Sequence, residues 1–242
     1  MRVGSCLLYR EASEVLVQVT VPALAGKINF MIKFDRSLIP VSPDLTFEIP
    51  LWQQGWTVAG FDEAGRGAWA GPVMAAAVIL PPETNILDRL LGVRDSKQLK
   101  PAERTRLAEM IRSETSWAVG SVSNLEIDTL GILPATRLAM SRALHSLPRA
   151  PDILLLDALF LPDESLPQES LIKGDQRSLS IAAASILAKT ARDYWMIQAD
   201  LEFKPYEFGK HKGYGTRKHL QALQEHGPCR LHRRSFHPIC DL

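Results

Sequence analysis

Four acidic residues stand where their carboxylates could act together. Asp62 and Glu63 are adjacent at the end of an apolar segment, Asp157 follows a short run of Ile and Leu, and Asp175 follows a Lys-Gly pair. A hard divalent cation takes oxygen ligands and neutralises clustered charge, so a metal site is one interpretation. The ordinary alternatives stay open at this point, because each aspartate could cap a turn or a helix and Glu63 could be solvated.

Two further features of the sequence could contact phosphates. The first is the turn Gly65-Arg66-Gly67, because residues without a Cβ let a phosphate-bearing strand approach the backbone amides. The second is the segment 204–237, which contains eight Lys or Arg, two Glu and five of the six histidines. A phosphate-binding surface explains this charge, and a solvated basic helix explains it equally well.

The elements that would position these residues are those of an α/β domain. Apolar runs predict strands at 57–61, 72–80, 116–122 and 152–156, the first two forming a hairpin. Helical spacing predicts one helix that starts at Pro101 and others at 132–147, 180–201 and 217–226. Strands followed by strands interleaved with helices predict a mixed sheet. Asp62 and Asp157 would then lie at strand ends, where open α/β sheets place ligand-binding groups.

Composition favours a soluble globular protein with a sizeable core. Of the 242 residues, 46% are hydrophobic and 23% charged, and the formal net charge is +1. No apolar run approaches the ~20 residues of a membrane helix, and we see no secretory signal. The cysteines Cys6, Cys229 and Cys240 are scattered and form no Cys-x-x-Cys pair, which argues against a disulfide framework or a thiolate zinc site. We therefore expect a cytoplasmic protein.

Six short motifs resemble those of bacterial ribonuclease HII and occur in that family's order. They span the chain from about Trp56 to Pro238 and read Asp62-Glu63-Ala64-Gly65-Arg66-Gly67, Asp95-Ser96-Lys97-Gln98-Leu99, Lys173-Gly174-Asp175, Ala183-Ala184-Ser185-Ile186-Leu187-Ala188-Lys189, His211-Lys212-Gly213-Tyr214 and Arg233-Arg234-Ser235-Phe236. Any one of them is weak, but six in register are specific. The resemblance implies a ribonuclease H-like α/β fold, a mixed β-sheet flanked by helices, with a helical C-terminal extension.

The resemblance also implies an activity. Family members hydrolyse the RNA strand of RNA–DNA hybrids and cut on the 5′ side of ribonucleotides embedded in duplex DNA, leaving a 3′-hydroxyl and a 5′-phosphate. Two Mg2+ or Mn2+ ions are expected per site, held by the catalytic carboxylates of Asp62, Glu63, Asp157 and Asp175. Two such ions about 3.5–4 Å apart can activate the attacking water and stabilise the leaving oxygen. The expected partners are these nucleic acids, with the protein a monomer and no membrane involved.

The family's substrate contacts map onto seven residues, which are Gly65, Arg66, Gly67, Lys97, Lys173, Ser185 and Tyr214. The 2′-hydroxyl distinguishes RNA from DNA at one nucleotide, and backbone groups and Arg66 near the glycine turn can contact it. The ring of Tyr214 can pack against a sugar or a base. The alternative for Tyr214 is a half-buried aromatic residue on a loop.

Four positions depart from the family's usual residues. Ala158 follows Asp157 where glycine is usual, Ala182 replaces a common serine, and Ala68 and Trp69 replace proline and a smaller apolar residue. None of these changes removes a carboxylate, so we expect activity to survive. Trp69 lies beside the presumed substrate turn and therefore bears on recognition of the junction.

Asp193 competes with Asp175 for the place of the fourth carboxylate. It lies over three helical turns beyond Ser180, beside Arg192 and four residues after Lys189, so a local ion pair is expected for it. Asp175 is favoured, because its glycine-containing turn can direct the side chain toward the strand ends.

The chain is expected to have three parts, which are an N-terminal extension of unknown role (1–50), a ribonuclease H-like catalytic domain (51–203) and a basic substrate-binding extension (204–242). The first part carries no matched motif and has five basic and five acidic residues, with β-prone stretches at 15–21 and 28–34. We expect it to be dispensable, so that a chain starting near Leu51 folds and cleaves.

Two other functions compete with this one. Another ribonuclease H-like nuclease, such as ribonuclease HIII, would have similar carboxylates but usually a larger N-terminal substrate-binding domain. A non-catalytic module that binds RNA–DNA hybrids would have no need of all four acidic residues, Arg66 and Tyr214. Cleavage of a duplex with one embedded ribonucleotide, compared with a binding titration, separates these possibilities.

Overall fold

The structure, a computed structural model, describes Asp35, Ser37 and residues 39–242. Cys6 and the strands expected at 15–21 and 28–34 lie outside the described residues. The strands are β1 (Val58–Ala64), β2 (Val73–Ile79), β3 (Ser116–Val122), β4 (Ile153–Asp157) and β5 (Gln168–Leu171). The α-helices are α1 (Glu48–Gln53), α2 (Ile86–Arg89), α3 (Pro101–Glu114), α4 (Asn124–Leu130), α5 (Ile132–His145), α6 (Leu179–Glu202), α7 (Phe208–His211) and α8 (Arg217–His226).

The five strands form one mixed sheet in the order β3-β2-β1-β4-β5. β1 pairs antiparallel with β2 and parallel with β4, while β2–β3 is antiparallel and β4–β5 parallel. All seven residues of β2 are buried, because the strand lies inside the sheet with both faces covered. The expected α/β fold with a mixed sheet and flanking helices is confirmed, and so is the β1–β2 hairpin.

Helices cover both faces of the sheet. Because the side chains of a strand alternate between the faces, successive residues contact different helices. On one face, small residues of α6 such as Ala183 and Ala184 pack with Ala76 and Val78. On the other face, α5 packs against Phe61 and its neighbours. The helix α6 approaches β1 very closely, since a Cβ at Gly60 would lie 2.4 Å from the backbone of Ser180. The face covered by α6 is also the face on which Asp62 and Asp157 lie.

Residues just before position 50 belong to the compact unit, which begins at Ile39. Leu45 is buried in the core, and Glu48 is fully buried at the start of α6. Its Oε1 accepts hydrogen bonds from the Ser178 and Ser180 hydroxyls, at 2.6 and 2.7 Å. Residues 39–50, which the sequence assigned to the N-terminal extension, thus supply buried contacts to the compact unit.

The C-terminal residues pack against the end of α6 and the glycine turn. Tyr206, Phe208 and Leu223 form a small core with Met196 and Ala70. Isolated β-bridges pair Ala68 with Tyr214 and Ala70 with His232. Within residues 39–242, no helix has the length and apolar character required to cross a membrane.

Candidate active site

Asp62 and Asp157 meet because they occupy equivalent places on neighbouring parallel strands. The last register pair between β1 and β4 joins Phe61 to Leu156, so the two aspartates come next along each strand. Both then lie on the α6 face, opposite to the Phe61 and Leu156 side chains. β1 continues to Ala64. Asp62 and Glu63 thus lie within the strand, and the expectation that the strand ends before them is corrected.

Asp175 joins this pair from the segment after β5. It lies in a 3-10 turn, Gly174–Gln176, and the Gly174 N–H donates to Asp157 Oδ1 at 2.7 Å. One carboxylate oxygen from each of Asp62, Asp157 and Asp175 lies within 4.8 Å of the other two. Asp175 Oδ1 is buried and accepts no hydrogen bond from the described residues. The three oxygens form a set of hard donors around one point, which suits a divalent cation.

Glu63 borders this group without belonging to the set of three converging oxygens. Arg66 Nη1 donates to Glu63 Oε1 at 3.0 Å, while Glu63 Oε2 is buried without a hydrogen-bond partner in the described part of the chain. The charge of Glu63 raises the pKa of both Asp62 and Asp157. Glu63 is thus close enough to interact with a cation bound by the aspartates, and its Oε2 is available as a ligand.

Burial and mutual repulsion both disfavour the charged state of the three aspartates. Burial, then the charges of Glu63 and Asp157, raises the pKa of Asp62 well above its ordinary value. Burial raises the pKa of Asp157 to about 6, against the hydrogen bond from Gly174. Burial, then Asp157, raises the pKa of Asp175 to about 6. Such clustered, perturbed carboxylates are typical of functional sites.

Lys97 is a cation close to the acidic group. Burial alone would lower its pKa, but the carboxylates of Asp62, Asp175 and Asp95 raise it. Asp95, buried and not singled out as a site residue from the sequence, accepts from the Lys97 N–H at 2.9 Å and thereby caps the turn that carries the lysine. The ammonium therefore stays protonated and partly compensates the acidic charge.

A cavity of about 390 Å³ opens beside the acidic group. Six of the seven predicted substrate residues line it, together with Glu63, Ala64, Ser96 and Lys189; the six are Gly65, Arg66, Gly67, Lys97, Ser185 and Tyr214. Lys173 does not line it: it is exposed, and its charge lowers the pKa of Asp157 and Asp175. The Ser185 hydroxyl lies 3.0 Å from that of Ser96 and hydrogen-bonds to Asp62. Ser185 therefore links the cavity to the acidic group.

Two buried arginines hold the glycine turn in place. Arg233 donates to the carbonyls of Gly65, Arg66 and Gly71 at 2.8, 2.8 and 3.0 Å. Arg192 donates to three more carbonyls, those of Ala70, Pro72 and Lys212. Gly65 has a φ of +97°, and a Cβ there would lie 1.9 Å from Arg192 Nε. Arg233 was visible from the sequence only as part of a motif, and Arg192 only as a possible ion-pair partner.

Asp193 lies away from the converging oxygens and in an ion-pair network. Its carboxylate oxygens lie 2.7 Å from Lys189 Nζ and 3.6 Å from Arg104 Nη2. Arg104 also donates to the carbonyl of Ser96, the residue before Lys97. The ion pair expected between Asp193 and Lys189 is present, and the structure groups Asp175 with the other two aspartates.

Two of the four positions that depart from the family pattern, Ala158 and Trp69, can be interpreted physically. Ala158 has a φ of 49°, the left-handed region in which glycine is favoured. The ring of Trp69 packs where a Cβ of Gly215 would stand, 2.2 Å away, and 5.3 Å from the ring of His219. Trp69 therefore supports the segment that carries the cavity's tyrosine. Ala68 and Ala182 are fully buried.

Comparison with known proteins identifies the family. The Ribonuclease HII family model matches residues 59–239. A ribonuclease HII of Chloroflexus aurantiacus is 53% identical over 202 residues, which cover 82% of this chain and 95% of that protein. The Archaeoglobus fulgidus ribonuclease HII, solved in complex with PCNA, is 26% identical with a TM-score of 0.62, covering 73% of this chain and 93% of its own. The ribonuclease H2 of Pyrococcus horikoshii shares the fold, with a TM-score of 0.61 at 24% identity over 76% of this chain and 96% of its own. The chain belongs to the ribonuclease HII family.

Proposed function

We propose that this protein is a metal-dependent endonuclease that hydrolyses the RNA strand of RNA–DNA hybrids and incises 5′ to ribonucleotides embedded in duplex DNA. The observation that carries the proposal is the convergence of Asp62, Asp157 and Asp175 beside a cavity, in a chain whose relatives are ribonucleases HII. Membership of the ribonuclease HII family favours this function over that of ribonuclease HIII. A purely binding module would have no use for three buried carboxylates that repel one another.

The donor set fits Mg2+ or Mn2+. All its donors are carboxylate oxygens, and two of the oxygens, Asp175 Oδ1 and Glu63 Oε2, are buried without a hydrogen-bond partner among the described residues. Asp62, Asp157 and Asp175 would hold the ions, with Glu63 as the fourth ligand. Bound divalent cations would supply an activated water and stabilise the leaving oxygen. Gly174 fixes Asp157 through its N–H, and Ser185 orients Asp62.

The turn Gly65-Arg66-Gly67 and Tyr214 are proposed to contact the nucleotide pair at the cut. Arg233 fixes the carbonyl groups of Gly65 and Arg66, and Arg192 fixes that of Ala70 just after the turn, so that the turn's N–H groups and the Arg66 side chain are presented to the cavity. Lys97 is placed to face a backbone phosphate, and Lys173 to contribute long-range positive charge. The segment 204–242 is proposed to extend this surface. Action as a monomer and location in the cytoplasm stay predictions.

The decisive experiment uses a duplex with a single embedded ribonucleotide, labelled on the strand that contains it. We expect one cut 5′ to the ribonucleotide with Mg2+ or Mn2+, no cut with chelator, and no cut of the all-DNA duplex. Asp62→Asn should bind the duplex but nearly abolish cleavage, since one anionic oxygen is lost. Cleavage by Asp62→Asn at a normal rate with unchanged metal dependence would overturn the assignment.

A second experiment tests the glycine turn without disturbing the fold. A Cβ at Gly67 would meet no atom within 4 Å, whereas one at Gly65 would strike Arg192. Gly67→Ala should therefore leave the melting temperature unchanged but raise KM for the ribonucleotide duplex, because the added methyl group enters the space that the substrate backbone occupies. An unchanged KM would place the substrate elsewhere.

A further inference from the structure

Two buried histidines, His219 and His232, and the half-buried His211 lie close to Tyr214 in the C-terminal part of the chain. His219 and His232 are 0% and 1% exposed, and the ring of His211 stacks on that of His219 with centroids 4.5 Å apart. Phe208 encloses the two buried rings at 5.6 Å each. Nothing in the proposed chemistry uses these histidines, although each would cost free energy to bury without hydrogen bonds.

The hydrogen bonds of His219 and His232 determine which nitrogen of each ring carries the proton. His232 Nδ1 lies 2.9 Å from the Cys229 nitrogen, whose N–H points at it, and 3.3 Å from the Cys229 carbonyl oxygen. The shorter contact makes Nδ1 the acceptor, so the proton of that ring is assigned to Nε2. His232 Nε2 lies 3.0 Å from His219 Nε2, which must then accept. The proton of His219 is consequently on Nδ1, which lies 3.0 Å from the carbonyl oxygen of Tyr214. The two rings thus carry opposite tautomers, and the chain of bonds ends on the tyrosine backbone.

We propose that His219 and His232 act as one positioning unit, a relay of fixed tautomers that orients Tyr214 over the cavity. The proposal rests on the substrate contact proposed for Tyr214. His219 is the positioning residue that touches the tyrosine, and His232 sets the tautomer of His219. The neighbouring His211 does the same for the preceding residue, since it accepts from the Gly213 N–H at 3.2 Å.

The electrostatics of the relay agree with this assignment. Burial lowers the pKa of His219 to about 4, and burial together with the neighbouring ring of His219 lowers that of His232 to about 4. Both rings are therefore neutral at pH 7, as a relay with one proton on each ring requires. A second proton on either ring would place two N–H groups against each other or against the Cys229 N–H.

Direct observation of the tautomers tests the geometry without any activity. In the full-length protein at pH 7, 15N NMR of the imidazole nitrogens should show the Nδ1–H form at His219 and the Nε2–H form at His232. Identical tautomers in the two rings, or a protonated ring at that pH, would overturn the proposal. This result does not depend on whether the protein cleaves RNA.

A matched pair of substitutions tests the action on Tyr214. In His219→Asn the amide nitrogen stands near the former Nδ1 and keeps the donor to the tyrosine carbonyl, whereas His219→Gln places its amide near Nε2 and loses that donor. We expect His219→Gln to raise KM for the ribonucleotide duplex about fivefold, the effect of one neutral hydrogen bond, with little change in kcat. His219→Asn should stay within about twofold of the parent. Equal effects of the two variants would contradict the relay.

A double substitution separates positioning from a merely structural role. In a Tyr214→Ala background, His219→Gln should have no further effect on KM, because its target is gone, whereas independent structural damage would add to that of the first substitution. Additive effects would overturn the proposal. If the parent protein fails to cleave the duplex at all, the proposed function fails, and the NMR result still decides the relay.

Discussion

Burial and charge oppose each other at Asp62, Asp157 and Asp175, and this conflict is the strongest single indication of function. Burial is the first cause of the raised pKa in each of them, and each is made worse by another carboxylate. A fold selected for stability alone would replace such residues by apolar or amide side chains. Their retention in a tight group is explained when a divalent cation supplies the missing charge.

Asp175→Asn and Asp193→Asn form a matched pair of substitutions, one inside the acidic group and one outside it. Asp175→Asn should lower the cleavage rate at least about 100-fold, partly rescued by more metal or by Mn2+, because a ligand oxygen loses its charge. Asp193→Asn should cost about 1 kcal/mol of stability through the weakened pairs with Lys189 and Arg104 and leave the metal response unchanged. Metal titrations of cleavage check both, and the reverse pattern would make Asp193 the ligand.

Ala158 offers a test of backbone strain next to the site. Its φ of 49° costs an alanine about 1 kcal/mol, which a glycine would not pay. Ala158→Gly should therefore raise the melting temperature by a few degrees and keep the activity. Ala150→Gly, the same change at an exposed loop residue without a positive φ, should leave the protein equally stable or less stable. A decrease in both variants would show that the strain is relieved by other contacts.

At the scale of elements, the sequence predicts best the segments that carry their own periodicity. The strand Ser116–Val122 and the helix Arg217–His226 have the predicted bounds. β5 was missed because it is a four-residue edge strand with exposed polar residues, and only its pairing with β4 defines it. α1 was missed because its buried residue is Glu48, which no hydrophobic pattern reveals.

Local sequence patterns also decide which parts of the site could be predicted. The aspartates follow apolar strands, and strand ends meet at a sheet edge, so Asp62 and Asp157 could be placed together from the sequence. Arg192, Arg233 and the histidine relay could not, because their partners are backbone carbonyls and rings distant in the chain. Their roles depend on packing that local patterns do not contain.

Arg233 and its neighbour Arg234 test how the turn is held. Arg233 is fully buried and donates three hydrogen bonds, and burial lowers its pKa to about 9, whereas Arg234 is exposed. Arg233→Met should lose about 3 kcal/mol of stability and raise KM, because buried carbonyls lose their donors. Arg234→Met should change stability by less than about 1 kcal/mol. Chemical denaturation and cleavage kinetics measure both, and equal stabilities would remove Arg233 from the support of the turn.

For the whole molecule, the N-terminal limit of the folded unit can be measured. A chain beginning at Ile39 keeps Leu45 and Glu48, while a chain beginning at Leu51 loses a core leucine and the acceptor for Ser178 and Ser180. We expect the first to match the full chain in stability and cleavage, and the second to be several kcal/mol less stable. Equal melting curves for the two truncated chains would favour a boundary at residue 50.

The pH dependence of stability combines two opposite contributions. In the folded state the pKa of Asp157 and of Asp175 is about 6, above the ~3.9 of an unfolded aspartate. Their contribution is therefore fully present below pH 4 and is lost as the pH rises through 6. His219 and His232, with pKa values of about 4 against ~6.5 when unfolded, destabilise the fold as the pH falls from 6.5 toward 4. The free energy of unfolding, measured against pH, thus contains contributions from both the aspartates and the histidines.

The metal-dependent part of the stability isolates the aspartates. At pH 7.5 Asp157 and Asp175, whose pKa values are about 6, are charged, so Mn2+ should raise Tm by several degrees over the chelated protein, whereas at pH 5 protons occupy the same oxygens and the increase should largely disappear. Asp62→Asn should abolish most of the increase with Mn2+, because an amide replaces one of the carboxylates that would hold the ion. Calorimetry at the two pH values, with Asp193→Asn as the control that keeps the parent's response, measures this difference. An Mn2+-induced increase that is equal at pH 5 and 7.5, or that persists in Asp62→Asn, would place the metal outside the three aspartates.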